Sequence, residues 1–267
     1  MSGEPVILRE NRGPVRLLTL NRPQVRNALS MPLMHDLLAA LDEARLDSAV
    51  RAVVLTGAGS AFCAGLDMDE LRGMSERTSE QHRADSEVFR SLLEALYLFP
   101  KPLVAAVQGH AVAGGAGLAA VCDLTVMADS AKMGFTEARI GFVAALVTVF
   151  IVRLVGEKHA RDLLLSARLL SADEARQMGL VNEVAPAADV LERALTRAQE
   201  MTRSAPGSVA MTKGMIAAAP GMGLGEGLRY AADLNALARS GAELREGVAA
   251  FLEKRDPAWM VALEESS

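Results

Sequence analysis

Two short segments carry residue types at a spacing that could do chemistry. The first is Ala61-Phe62-Cys63-Ala64-Gly65-Leu66-Asp67-Met68, and the second is Gly109-His110-Ala111-Val112-Ala113-Gly114-Gly115-Ala116-Gly117. Each follows an apolar run of strand character, Val53-Val54-Leu55-Thr56 before one and Leu103-Val104-Ala105-Ala106-Val107 before the other. Each then breaks into small residues ahead of a helix-compatible stretch. A strand, a glycine turn and a helix start present bare backbone N–H groups to an oxygen that carries negative charge. Two such turns aimed at one point form an oxyanion hole, which stabilises an enolate or a tetrahedral acyl oxyanion. A single turn reads equally well as a close helix–strand crossing, with Gly114, Gly115 and Gly117 as packing glycines. The pair is what points to chemistry.

The elements around these turns repeat. Val6-Ile7-Leu8, a turn at Asn11-Arg12-Gly13-Pro14 and Val15 to Leu20 read as an antiparallel pair ended by Asn21-Arg22-Pro23. Ser30 is placed to cap a helix with Pro32 in its first turn, and Leu33, Leu37, Leu38, Leu41 and Ala44 give that helix one apolar face to about Leu46. Residues 68–85, rich in Arg, Glu and Ser, read as a mobile surface segment of the kind that lids a site. A helix over Glu87–Leu98 is stopped by Pro100 and Pro102. Leu124 to Ala128 reads as a strand and Met133-Gly134-Phe135 as a short extended piece. From Phe142 the pattern is helical to the end, with breaks at Gly156, Gly179–Asn182, Pro186 and Ala205-Pro206-Gly207. The expected architecture is therefore a β/α core over residues 1–200 followed by a helical region over 201–267. There Leu224, Leu228 and Leu234, with Ala231 and Ala232, form an apolar face suited to an oligomer contact.

Composition narrows the function classes. A chain of 267 residues, 51% hydrophobic but only 4% aromatic, builds its core from Ala, Leu and Val. A net charge of −5 with no basic block argues against nucleic acid as the main partner. Cys63 and Cys122 sit in apolar runs and read as buried thiols of a reducing compartment. His35, His82, His110 and His159 have no partner at ligand spacing, so no metal site is expected. The opening residues lack the apolar core of a signal peptide, and the longest apolar run, Phe142 to Val152, is too short to span a bilayer. A cytoplasmic protein with no membrane partner is the expectation.

At these turns the sequence resembles the crotonase superfamily, the enoyl-CoA hydratases and isomerases, nearly end to end. The resemblance rests on Asn21-Arg22-Pro23 with Asn27-Ala28-Leu29, the Phe62–Asp67 turn, Lys101-Pro102, Gly114-Gly115 and Cys122-Asp123-Leu124. It continues in Ala172-Asp173-Glu174-Ala175 before Gly179-Leu180-Val181, and in Glu246-Gly247 with Phe251 to Arg255. It implies an α/β fold made of a spiral of ββα units, a C-terminal helical region that builds trimers, and a homotrimer or homohexamer. It implies an acyl-CoA substrate whose thioester carbonyl lies between the N–H groups of Leu66 and Gly114, each such donor contributing about 3 kcal/mol to the transition state. Ala64, Leu66, Asp67, Met68, Gly114, Gly117, Arg26 and Ala28 would line that substrate. CoA is then part of the substrate, and no separate cofactor is implied.

The departures from the family pattern matter. Its hydratases place two glutamates around one water; the second matches Glu137, in Phe135-Thr136-Glu137-Ala138-Arg139-Ile140-Gly141, but the first falls on Gly117. Ala144-Ala145-Leu146-Val147 replaces the usual Pro-Gly-Gly segment, and Asp69 stands where a lysine near the CoA phosphates is often found. A single glutamate suits enoyl-CoA isomerisation, one carboxylate carrying a proton between C2 and C4. The segment Thr136 to Gly141 is instead similar to methylglutaconyl-CoA hydratase-like proteins. A non-catalytic acyl-CoA-binding oligomer is the alternative class. Plainer readings stand beside the catalytic ones. Glu137 alone could be a solvated carboxylate and Asp67 a helix cap. His110 could pack beside its turn. Arg26, Lys254 and Arg255 could be solvated surface or could meet CoA phosphates. Phe142–Val152 is a buried helix or the wall of an acyl pocket.

Overall fold

The computed structural model describes residues 4–264. The chain opens with β1 (Ile7–Arg12) and β2 (Val15–Leu20), antiparallel around a turn at Gly13, whose φ is +57°. Helix α1 (Met31–Leu46) follows. Ser30 caps it, its side chain accepting a hydrogen bond from Leu33 N, and the Lys101 ammonium donates to Ala44 O and Asp47 O at its far end, both at 2.7 Å. Leu33, Met34, Leu37, Ala40, Leu41 and Ala44 face the core, the stripe the heptad-like spacing requires.

Three consecutive units then repeat one plan. The first is β3 (Ala52–Gly57), β4 (Ala61–Cys63), α2 (Met68–Gly73) and α3 (Ser79–Tyr97); the second is β5 (Leu103–Val107), β6 (His110–Val112) and α4 (Gly114–Ala120). The third is β7 (Leu124–Ala128), β8 (Lys132–Gly134) and α5 (Ala145–Ser166), with a 3-10 turn over Glu137–Ile140 between them. In each unit the first strand joins a six-stranded sheet and the second a four-stranded sheet. The large sheet runs β1-β2-β3-β5-β7-β10 and is parallel from β2 onward; the small sheet runs β4-β6-β8-β9. Every residue of β3 and β5 is buried, which is why both read as continuous apolar runs rather than alternating ones.

After α5 come β9 (Leu170–Ser171), α6 (Ala172–Gln177), β10 (Glu183–Ala185) and α7 (Val190–Thr202). Helix α7 packs across β3, β5 and β7. Two expectations are corrected here. The helical pattern expected from Phe142, interrupted only by breaks, also contains two strands: β10 extends the large sheet beside β7, and β9 pairs antiparallel with β8. Residues 68–85 are not an irregular segment either. Helix α3 begins at Ser79, eight residues before the expected Glu87, on a capping box in which Thr78 accepts from Gln81 N and the Gln81 side chain accepts from Thr78 N. The break expected at Gly156 is present, with φ +74° and ψ 163° interrupting α5.

The last helices are α8 (Pro206–Ala218), α9 (Leu224–Ser240), α10 (Ala242–Glu253) and α11 (Ala258–Glu264). Polar contacts tie them to the core. Lys213 on α8 pairs with Asp123 and donates to Lys101 O, and the Arg51 guanidinium donates to Thr202 O, Ser204 O and Trp259 O. Their apolar side chains point away: Leu224 and Phe251 are each 82% exposed, and Leu237 and Leu252 are also exposed. Among the described residues no helix is long and apolar enough to cross a membrane.

Candidate active site

The three groups singled out from the sequence all leave the same edge of the small sheet. Leu66 lies just past the end of β4, Gly114 just past β6 and Glu137 just past β8, and these three parallel strands are neighbours with β6 in the middle. Adjacent strands are about 4.8 Å apart, so the two turns and the Glu137 segment leave the carboxyl ends of the strands side by side, where open α/β sheets place their ligands.

Among the described residues neither the Leu66 N–H nor the Gly114 N–H donates to a protein acceptor; Gly114 opens α4, whose first acceptor bond is Gly117 N to Ala113 O. Leu66 is held between two bonds to Leu29, with Leu29 N donating to Gly65 O at 2.7 Å and Asp67 N donating to Leu29 O at 3.0 Å. The turns touch. A Cβ placed on Gly65, whose φ is +87°, would lie 2.9 Å from the Ala113 methyl and 3.6 Å from Gly114 N. Gly115 is a true packing glycine, since a Cβ there would sit 2.3 Å from Cys63 O, which draws α4 down onto the end of β4.

Side-chain amides frame the first turn. Asn27, fully buried at φ +55°, accepts from Arg22 N and donates to Ala58 O and Ala61 O. Gln108 donates to Gly57 O and to the same Ala61 O at 2.9 Å, linking the start of β4 to the segment entering β6. Arg22 donates to the Asp67 carboxylate at 2.7 Å and to Ala28 O at 2.8 Å. Asp67 also accepts from Asp69 N, so its side chain is occupied as a cap of α2, and its contacts with that N–H and with Arg22 hold its pKa below the usual carboxylate range despite burial. Arg22 and Asn27 stand in the sequence only as motif residues without a role, and Gln108 is marked by no motif. An Asn in the turn after Asn21-Arg22-Pro23 and a Gln directly after an apolar strand were the available signals.

Glu137 opens the 3-10 turn after β8 and is 8% exposed. Its Oε2 has no hydrogen-bond partner among the described residues. Burial pushes its pKa up, and contact with its own backbone N–H offsets only part of that rise. A desolvated carboxylate with a free oxygen is a stronger base than a solvated one. The solvated reading does not hold.

Gly117, expected to line the substrate, is closely packed by side chains. A Cβ there would lie 2.5 Å from Val147 Cγ1 and 3.8 Å from Leu93 Cδ2, so α5 fills the volume a longer side chain would need. A Cβ on Gly114 would meet Leu29 Cδ1 at 3.0 Å and Phe89 Cζ at 3.2 Å. Leu29, Phe89, Leu93 and Val147 thus stand as apolar neighbours of Gly114 and Gly117, and of the four only Leu29 lies in a motif. Of the segment Phe142–Val152 only Val147 and Ile151 are buried, while Ile140, Phe142 and Val143 are exposed beside the site. Ala28 is buried, Ala64 half-buried, and Met68 and Arg26 exposed; Arg26 O accepts from Ala64 N. His110 accepts from Lys132 N beside its turn, and Arg255 is engaged by Glu246 and Glu253. Cys63 is buried and its thiol is pushed up to about 12, which leaves it unreactive.

The sequence profile of the enoyl-CoA hydratase/isomerase family matches residues 10–261. A Thermus thermophilus protein provisionally assigned as an enoyl-CoA hydratase is 50% identical over 246 residues, covering 92% of this chain and 97% of its own. The 2,3-dehydroadipyl-CoA hydratase of Escherichia coli is 35% identical over 255 residues, covering 95% and 97%. The solved structure of Pseudomonas aeruginosa AtuE superposes with a TM-score of 0.90 at 40% identity, over 95% of this chain and 99% of that one.

Proposed function

This chain belongs to the enoyl-CoA hydratase/isomerase family, and from that premise we propose that it processes an enoyl-CoA thioester through a thioester enolate. The observation that supports the proposal is that two unpaired N–H groups and one unpaired buried carboxylate oxygen follow the ends of the neighbouring strands β4, β6 and β8. The carbonyl oxygen of the thioester accepts from Leu66 N–H and Gly114 N–H. Charge that develops on that oxygen is stabilised there, while Glu137 moves a proton at the α-carbon. The thioester acidifies the α-carbon by itself, so the reaction needs no metal or redox cofactor. Arg26, exposed beside the first turn, is suited to a CoA phosphate, and the outward apolar faces of α9 and α10 to a homotrimer or homohexamer.

Hydration is the reading favoured by the names of the relatives at 50% and 35% identity. One carboxylate suffices for the atom balance: water oxygen bonds C3, the water proton passes to Glu137, and Glu137 returns it to C2. Isomerisation is the second reading, favoured by the filled volume beside Gly117, since transfer between C2 and C4 needs one carboxylate and no activated water. The absorbance of the conjugated enoyl thioester separates them. It falls when a 2-enoyl-CoA is hydrated, rises when a 3-enoyl-CoA is isomerised, and stays flat for a protein that only binds.

The same volume sets a second test. Gly117→Glu alone is expected to add no hydration and to destabilise the fold, because its Cβ would meet Val147 Cγ1 at 2.5 Å. Gly117→Glu combined with Val147→Ala opens that space and is expected to raise crotonyl-CoA hydration by about tenfold or more, the lower range of a general acid–base contribution. Steady-state rates of both variants check this; a gain in the single variant, or none in a folded double variant, contradicts it.

A further inference from the structure

Ala113 is the last residue before the Gly114 N–H, and its backbone stands at φ 53° and ψ −126°. A residue with a Cβ rarely adopts that conformation; glycine does so freely. The fold holds Ala113 there from three sides. Its N–H donates to Gly134 O at 2.7 Å, on the strand that leads to Glu137, and its carbonyl accepts from Gly117 N at 3.1 Å, closing the first turn of α4. Its methyl lies against Gly65, where a second Cβ would come within 2.9 Å.

Each contact reaches a different part of the site. The ψ of Ala113 rotates the peptide plane that carries the Gly114 N–H, so that angle sets where the donor points. The methyl fills the space between the two turns and so fixes how far the Leu66 N–H stands from the Gly114 N–H. The bond to Gly134 ties the Gly114 turn to the strand that ends three residues before Glu137. Glycine at 113 would relieve the backbone strain and make the same two main-chain bonds. It would give up only the methyl spacer and the restriction on ψ. We propose that Ala113 is a positioning residue: a strained spacer whose methyl sets the separation and aim of the two N–H donors. The proposal rests on the oxyanion reading above.

The test is Ala113→Gly, read by isotope-edited infrared spectroscopy of bound [1-13C]butyryl-CoA, a saturated probe with no double bond to react. Paired N–H donors lower the thioester carbonyl frequency on binding. The parent is expected to show a clear downshift and the variant a substantially smaller one. Turnover of crotonyl-CoA, measured alongside, is expected to show kcat about 10- to 100-fold lower, the scale of an ångström-level misplacement, with KM near the parent's value. The melting temperature is expected to hold or rise, because strain is removed, and this separates positioning from a general loss of fold. Equal downshift and kcat in parent and variant would overturn the spacer role while leaving the oxyanion hole in place. Loss of kcat in step with a lowered melting temperature would also overturn it. No downshift in the parent would remove the oxyanion reading itself, and the spacer role with it.

Discussion

Glu137→Gln is expected to lower turnover of an enoyl-CoA by about 100-fold or more, with acyl-CoA binding little changed, because a general acid–base contributes on that scale. The substitution keeps the size of the side chain and removes only its proton chemistry. The carboxylate it replaces is 8% exposed, with Oε2 unpaired among the described residues, so its ionised form is poorly solvated in the folded protein. The pKa of that group lies above its unfolded value. The ionised form therefore costs folding stability. That cost is fully present above the folded pKa and is relieved as the pH falls through it toward the unfolded value. The acid limb of the parent's pH–rate profile is accordingly expected above the usual carboxylate range, and the melting temperature of Glu137→Gln at neutral pH is expected to match or exceed the parent's. Activity within threefold of the parent would reject Glu137 as the proton carrier.

Gly114→Pro is expected to abolish catalysis, at a cost of about 100- to 1,000-fold, the effect of deleting one oxyanion donor. Proline removes the N–H and is tolerated at the first position of a helix, so α4 retains its start. The ring adds bulk toward Leu29 and Phe89, which a Cβ would meet at 3.0 and 3.2 Å, and it disfavours the φ 53° and ψ −126° of Ala113, so the variant also disturbs that turn. Gly114→Ala separates these effects. It adds the Cβ, keeps the N–H, and asks only the ends of two side chains to shift. The alanine variant should lose far less activity than the proline variant, with both folded by circular dichroism. Equal losses would mean that space rather than the N–H matters at this position.

The two donor turns were legible in the sequence because backbone donors demand a turn chemistry, small residues after an apolar strand, that side chains cannot disguise. The order of strand, turn and helix in each unit was legible for the same reason. The convergence of the turns was not. It depends on β4, β6 and β8, three residues each, lying side by side, and strands that short carry no readable period. Strands β9 and β10 escaped on the same ground, at two and three residues. The start of α3 was obscured by its polar first turns, although Thr78 and Gln81 stand at capping-box spacing. Glu137 stood out through its place in the family pattern among the apolar neighbours Phe135 and Ile140, since a lone glutamate announces no burial by itself. The contact of Val147 with Gly117 joins residues thirty positions apart and is written in neither.

The most direct measurement is the crystal structure of the Glu137→Gln variant with an enoyl-CoA bound. The expected result is a thioester oxygen within about 3.2 Å of both Leu66 N and Gly114 N, with the α-carbon facing residue 137. A thioester oxygen more than about 4 Å from both nitrogens, beyond any hydrogen bond, would contradict the assignment of the site.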